Sequence, residues 1–119
     1  DLQGPYIPHP CSPIAKDNKI GRDAGCWLEL GGKLLRFSQD CVRRYGDNVN
    51  VSEITKLSPT EYEEHLIQEC IIPTNVPFYK EGGHQFNVVQ FMNKKIVATD
   101  AKEYHSLLLH RIIRKLLKK

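Results

Sequence analysis

Two polar clusters hold the side chains that can do chemistry. The denser one is Arg36, Gln39, Asp40, Arg43, Arg44 and Tyr45. Sugars are held by paired hydrogen bonds to neighbouring hydroxyls, and planar Asp, Gln and Arg groups supply such pairs in a fixed geometry. Strand alternation sets Arg36 and Phe37 on opposite faces. Asp40 then falls at the strand end, where a carboxylate can meet a ligand. The plainer alternative is an Arg–Asp pair closing a turn. The second cluster is Glu81-Gly82-Gly83-His84-Gln85-Phe86-Asn87. Paired glycines let the backbone turn sharply and present the imidazole. A histidine can contact a ligand or move a proton, because its side chain titrates near neutral pH. Its plainer role is a satisfied residue at a hairpin entry.

Arg22 is a third candidate, in the small-residue loop Gly21-Arg22-Asp23-Ala24-Gly25 ahead of a strand. Its alternative is a solvated loop arginine. Asp100 reads as a helix cap, whose side chain satisfies an orphan N–H. Other chemistries lack their residues. No His, Cys and carboxylate set has zinc-ligand spacing, so no metal is expected. No nucleophile elbow, phosphate-binding loop or dinucleotide fingerprint occurs, and no cofactor is expected. Glycoside hydrolysis needs two acids across the scissile bond. Asp40 can be one, and its partner would be Glu81 or a residue elsewhere.

The elements that must position these groups are mostly strands. Residues 1–25 are rich in Pro, Gly and polar types, and their prolines forbid a helix. They read as an extended, ordered loop or an edge segment, not a core element. Cys26 to Phe37 reads as a hairpin turning at Gly31-Gly32, where the glycines supply the positive φ a tight turn needs. Asn48 to Leu57 is β-branched and partly alternating, hence a strand. Ser58-Pro59-Thr60-Glu61 reads as a turn, and Tyr62 to Ile72 as a further strand. Residues 73–83 form a loop. Phe86 to Met92 and Lys95 to Thr99 form a second hairpin across Asn93-Lys94. From 101 to 119, Tyr104, Leu107, Leu108, Ile112, Ile113 and Leu116 recur at helical spacing, predicting an amphipathic α-helix. Its terminal lysines suit the helix dipole.

The bulk numbers fit one soluble unit. The chain has 119 residues, is 40% hydrophobic and carries a net charge of +3, too mild for nucleic-acid binding. Cys11, Cys26, Cys41 and Cys70 match no C-x-x-C pattern and read as buried free thiols. No signal-peptide pattern opens the chain, and no apolar run reaches membrane-spanning length. The cytoplasm is the favoured location. The start at Asp1 suggests a piece of a longer protein.

One resemblance draws these parts together. It is carried by His9-Pro10-Cys11-Ser12-Pro13, Gly21-Arg22-Asp23-Ala24-Gly25, Gly32-Lys33-Leu34-Leu35-Arg36-Phe37-Ser38-Gln39-Asp40-Cys41, Tyr45-Gly46 and Glu53 through Glu64. These motifs, in this order over about residues 7–100, resemble the glycosidase-like five-bladed β-propeller domain. That domain stands at the N-terminal side of plant glucosamine inositolphosphorylceramide transferases and in bacterial proteins of sugar and surface-polysaccharide metabolism. Gly83-His84-Gln85 also resembles it, although Gln85 departs from the glycine-histidine-threonine expected there.

The resemblance implies an all-β fold: antiparallel β-meander hairpins of about two propeller blades, over residues 26–100, followed by the terminal helix. A complete five-bladed propeller needs roughly 250–300 residues at four strands per blade. The missing blades would come from a longer chain or a homo-oligomer. The C-terminal helix would cover an apolar blade face, with an anionic membrane surface as its less favoured alternative. The implied function is binding of a carbohydrate or sugar nucleotide by Arg22, Arg36, Gln39, Tyr45 and His84, with Asp40 as the catalytic candidate. Two alternatives stand beside it. One is part of an active glycoside hydrolase or glycosyltransferase, with Asp40 as acid/base or substrate-orienting carboxylate. The other is a structural, self-associating module.

Overall fold

The computed structural model of the protein describes residues 2–102. Six strands occur there: β1 (Leu28–Leu30), β2 (Lys33–Asp40), β3 (Asn48–Leu57), β4 (Tyr62–Gln68), β5 (Phe86–Phe91) and β6 (Lys94–Thr99). Strands β1-β2-β3-β4 form a four-stranded antiparallel meander, and β5-β6 form a separate two-stranded hairpin. The described residues are all-β apart from one 3₁₀ turn at Pro77–Tyr79. The helix expected over 101–119 lies outside the described residues beyond Lys102. Among the described residues the two sheets do not close into a barrel or ring. No helix among the described residues is long and apolar enough to cross a membrane.

The first hairpin turns at Gly31-Gly32, both with positive φ, and pairs Leu30 with Lys33. The second pairs Phe91 with Lys94, so its turn is Met92-Asn93, one residue earlier than expected. Met92 takes the positive φ (51°) that the tight turn demands. The strand expected from Tyr62 to Ile72 ends at Gln68. Cys70 there has a φ of 53°, which breaks the extended backbone. Side chains of β3 then take over the pairing. Asn50 Oδ1 accepts from Cys70 N at 3.0 Å, and Asn48 bridges Ile72 N and Ile72 O.

Strand alternation gives the central strands β2 and β3 two unlike faces. On one, Leu35, Phe37, Val49 and Val51 join Ala24 and Ile72 in the apolar core. The β5-β6 hairpin seals part of that face, with the rings of Phe37 and Phe86 4.8 Å apart. Phe37 alone contributes about 1.5–3 kcal/mol by leaving water. The opposite face is polar and equally buried. It carries Arg36, Ser38, Asn48, Asn50 and Ser52.

The N-terminal segment covers this polar face and pairs along the free edge of β2. Ala24 N donates to Phe37 O, and Gln39 N to Arg22 O. Residues 22–24 therefore form an edge segment, as 1–25 allowed, but Ala24 is fully buried and joins the core, which was not expected of this stretch. The cysteines also depart from expectation. All four are free, but Cys11, Cys26 and Cys70 are exposed and Cys41 is half-buried. None of them sits in a core position of a strand.

Candidate functional site

Arg36 organises the polar face. Its Nε and Nη2 donate to the two carboxylate oxygens of Glu64 at 2.8 and 2.7 Å. Nη1 reaches Asp23 at 2.7 Å, and Nη2 also donates to Ile20 O at 2.9 Å. Arg36 is 2% exposed and the Glu64 side chain 6%, so this is a buried, bidentate ion pair. Burial alone would ease the proton off the guanidinium. The carboxylates of Glu64 and Asp23 outweigh that and hold it above its ordinary value. Gln39 is buried as well, with Nε2 donating to Asp23 O at 3.0 Å.

Asp40 ends β2, half-buried. Its Oδ1 accepts from Val42 N at 3.0 Å, and Oδ2 lies 3.5 Å from Asn50 Nδ2. It does not pair with Arg36, whose partners are Glu64 and Asp23. Glu81, the suggested second acid, is engaged by Arg44 at 2.7 Å.

Arg22, Tyr45 and His84 come together from three separate segments. The Arg22 guanidinium lies over the Tyr45 ring, 5.2 Å from its centroid. The His84 ring meets Tyr45 edge-on at 5.3 Å. Arg22 and Tyr45 border an open pocket of about 400 Å³ with Lys16, Asp17, Asn18 and Cys41. The loop carrying Arg22 is fixed from below. Asn50 Nδ2 donates to Lys19 O at 2.9 Å, and Asp17 Oδ1 accepts from the amides of Lys19 and Ile20. The Tyr45 loop is braced by Asp47, which accepts from Arg43 at 2.8 Å and Arg44 at 2.7 Å. Burial pushes the Asp47 carboxyl up, but those two guanidiniums bring it below its ordinary value. Lys102 Nζ reaches the carbonyls of Tyr45 and Gly46.

His84 has a partner that the sequence reading missed. Its Nδ1 contacts Asp100 Oδ2, while Asp100 Oδ1 accepts from the amides of His84 and Gln85, each at 2.7 Å. The sequence reads Asp100 as the cap of a helix that lies outside the described residues; within them its side chain reaches back to His84 and Gln85. The signal for that reach was the hairpin register. Phe86 pairs with Thr99, so Gln85 and Asp100 face each other one step beyond. Glu64 was likewise missed, because only the register of β3 with β4 carries it to Arg36.

The structure thus brings three of the six expected site residues together: Arg22 and Tyr45 border the pocket, and His84 packs against Tyr45. It places Arg36 and Gln39 inside the scaffold and Asp40 at a strand-end turn. Among the described residues no three His, Cys, Asp or Glu side chains gather as metal ligands.

No protein-family model matches the chain, and no solved structure matches it. Two curated relatives do. They are the proteins called glucosamine inositolphosphorylceramide transferase 1 from Oryza sativa subsp. indica and Oryza sativa subsp. japonica. Each is 30% identical over 92 residues, covering 74% of this chain and 11% of the relative. The chain therefore spans only a small part of their length, and the likeness is a family link between it and these transferases.

Proposed function

We propose that this chain is a carbohydrate- or sugar-nucleotide-binding portion of a longer glycan-metabolism protein, built as propeller blades. The observation that carries the reading is the Arg22–Tyr45 pair at the rim of the 400 Å³ pocket, with His84 packed on Tyr45. Tyr45 offers an amphipathic ring edge, and Arg22 offers donors that no carboxylate of the described residues engages. Those are the groups a polyol or a phosphorylated sugar needs. The name of the rice relatives, which act in glucosamine transfer, supports the ligand class. In this reading Arg36 and Gln39 hold the loop that presents Arg22, and Asp40 shapes the turn ahead of Tyr45.

The test is a titration of the chain with glucosamine, N-acetylglucosamine and UDP-N-acetylglucosamine, followed by amide shifts. Shifts should centre on Arg22, Tyr45 and His84, and Arg22→Ala should weaken binding. A panel that moves no amide in those segments overturns the proposal.

A second reading, assembly through an apolar face, rests on its own observation. The meander and the β5-β6 hairpin leave an apolar groove of about 400 Å³ between them, bordered by Leu30, Phe37, Ile67, Phe86, Val88 and Val97. Val89, Phe91 and Ile96 are also about half exposed. Such surface is what an unpaired blade presents to its neighbour. Sedimentation discriminates here: a strictly monomeric chain removes self-association.

A further inference from the structure

We propose that Asp100 is a positioning residue that holds His84 in the Nδ1–H tautomer, leaving Nε2 as a lone-pair acceptor for a ligand hydroxyl. The inference rests on the carbohydrate reading for its ligand class. Its geometry stands by itself.

Which imidazole nitrogen carries the proton is set by the hydrogen bond the other makes. Nδ1 of His84 faces Asp100 Oδ2. The carboxylate cannot swing away, because its other oxygen accepts from two amides at 2.7 Å. Burial raises the Asp100 carboxyl, but those amides and the ring bring it below its ordinary value. It is therefore an acceptor at neutral pH, and Nδ1 must be the donor. Nε2 has no hydrogen-bond partner among the described residues, and the His84 side chain keeps 27% of its exposure.

The surroundings are built to hold the ring. Gly46 lies against it so closely that a Cβ at that position would overlap His84 Cβ. Gly83 allows the chain down onto Asp100, where a Cβ would collide with the Asp100 carbonyl. Tyr45 abuts the ring edge, with Arg22 over Tyr45. Beyond these, the charged groups nearby are Lys102, on the carbonyls of Tyr45 and Gly46, and the Arg44–Glu81 and Arg44–Asp47 pairs. Lys102 bonds to carbonyls, and Arg44 bonds to the carboxylates of Asp47 and Glu81. This leaves Asp100 as the group that sets the tautomer.

Ring ¹H–¹⁵N correlation spectra of the ¹⁵N-labelled chain test this, with His84 assigned through His84→Gln. The expected pattern, read on the uncharged ring at alkaline pH, is a protonated Nδ1 and an unprotonated Nε2. Asp100→Asn keeps a side-chain oxygen for the two amides but removes the charge. It should shift His84 toward the Nε2–H form and weaken binding of any sugar that moves the site by about three- to tenfold, the worth of one neutral hydrogen bond. An Nε2–H tautomer in the native chain overturns the proposal, whether or not the variant folds. So does an unchanged tautomer in a folded Asp100→Asn chain. The tautomer needs no ligand to be read. A chain that shows it yet binds none of the sugars overturns the carbohydrate reading and the acceptor role, while the Asp100–His84 assignment stands.

Discussion

Replacing Glu64 by Gln should destabilise the protein far more than a typical surface charge change. The substitution keeps the shape and removes the charge. Arg36 then loses both charge-assisted bonds to Glu64, at 2.8 and 2.7 Å, while staying 2% exposed. Asp23 remains at 2.7 Å, but its side chain is 61% exposed, so water screens its compensation. Breaking one side of a buried pair costs about 3–5 kcal/mol. The remaining Asp23 and Ile20 O contacts place Glu64→Gln at the lower end, about 3 kcal/mol. Against a total stability of about 5–15 kcal/mol this is a large fraction. Urea unfolding reads it directly. At about 1.5 kcal/mol per molar, the midpoint should fall by about 2 M. The double variant Arg36→Leu with Glu64→Leu should recover most of the loss, because removing both charges of a buried pair is often close to neutral. A Glu64→Gln chain within about 1 kcal/mol of native would refute the reasoning. So would an Arg36→Met chain of unchanged stability that no longer binds sugar, since Arg36 would then be a ligand group.

Three further outcomes are expected. Tyr62 Oη is buried without a well-formed hydrogen bond among the described residues, and burial followed by the charge of Glu64 pushes the phenol up to about 12. Tyr62→Phe should therefore match or exceed native stability by up to about 1 kcal/mol in urea unfolding, because it removes an unsatisfied polar group. Gly46 has a φ of 56° and packs on His84. Gly46→Ala should cost at least about 1–2 kcal/mol and displace the His84 ring signals. Asp47 and Asp100 both have folded-state carboxyls below the ordinary 3.8. Each group's stabilisation is full above that value and is lost as pH falls from there through the lower folded-state value, because the unfolded chain takes up the proton first. Stability measured from pH 6 downward should fall in that window, and Asp47→Asn with Asp100→Asn should flatten the fall.

Most of the strands were legible because their signals are local. Gly31-Gly32 marks a turn by backbone freedom, and the β-branched run from Val49 to Ile54 marks a buried strand. The errors occurred where side chains replaced backbone or where a residue adopted an uncommon conformation. The second turn was expected at Asn93-Lys94, because a methionine gives no local sign of a left-handed backbone. Met92 took the left-handed position instead. Nothing local to Tyr62–Ile72 announces that Asn48 and Asn50, some twenty residues earlier, end β4 and capture the chain after it. Of the candidate site, Arg22, Tyr45 and His84 were visible as residue types but not as neighbours. Their meeting depends on the edge pairing of residues 22–24 with β2 and on the fold-back of the 82–84 segment. The reach of Asp100 back to His84 was not legible, because a carboxylate after a strand and before an apolar periodic run looks the same whether it caps forward or reaches back.

The polar face of the meander connects scaffold to site. A sheet face made of Arg36, Ser38, Asn48, Asn50 and Ser52 is an expensive way to bury a surface, since each polar group needs a partner. Ser38 Oγ and Ser52 Oγ have none among the described residues. An apolar face of the same size would be more stabilising, but it would hold whatever packed on it without fixing its register. Here the face bonds to particular backbone atoms, Asn50 to Lys19 O and Arg36 to Ile20 O, while Gln39 of the same strand, on the other face, bonds to Asp23 O. Those atoms flank Arg22 on both sides. The residues that looked most like ligand groups in the sequence therefore act at one remove. They define where Arg22 stands relative to Tyr45, and the pocket rim inherits its geometry from the buried ion pair beneath it.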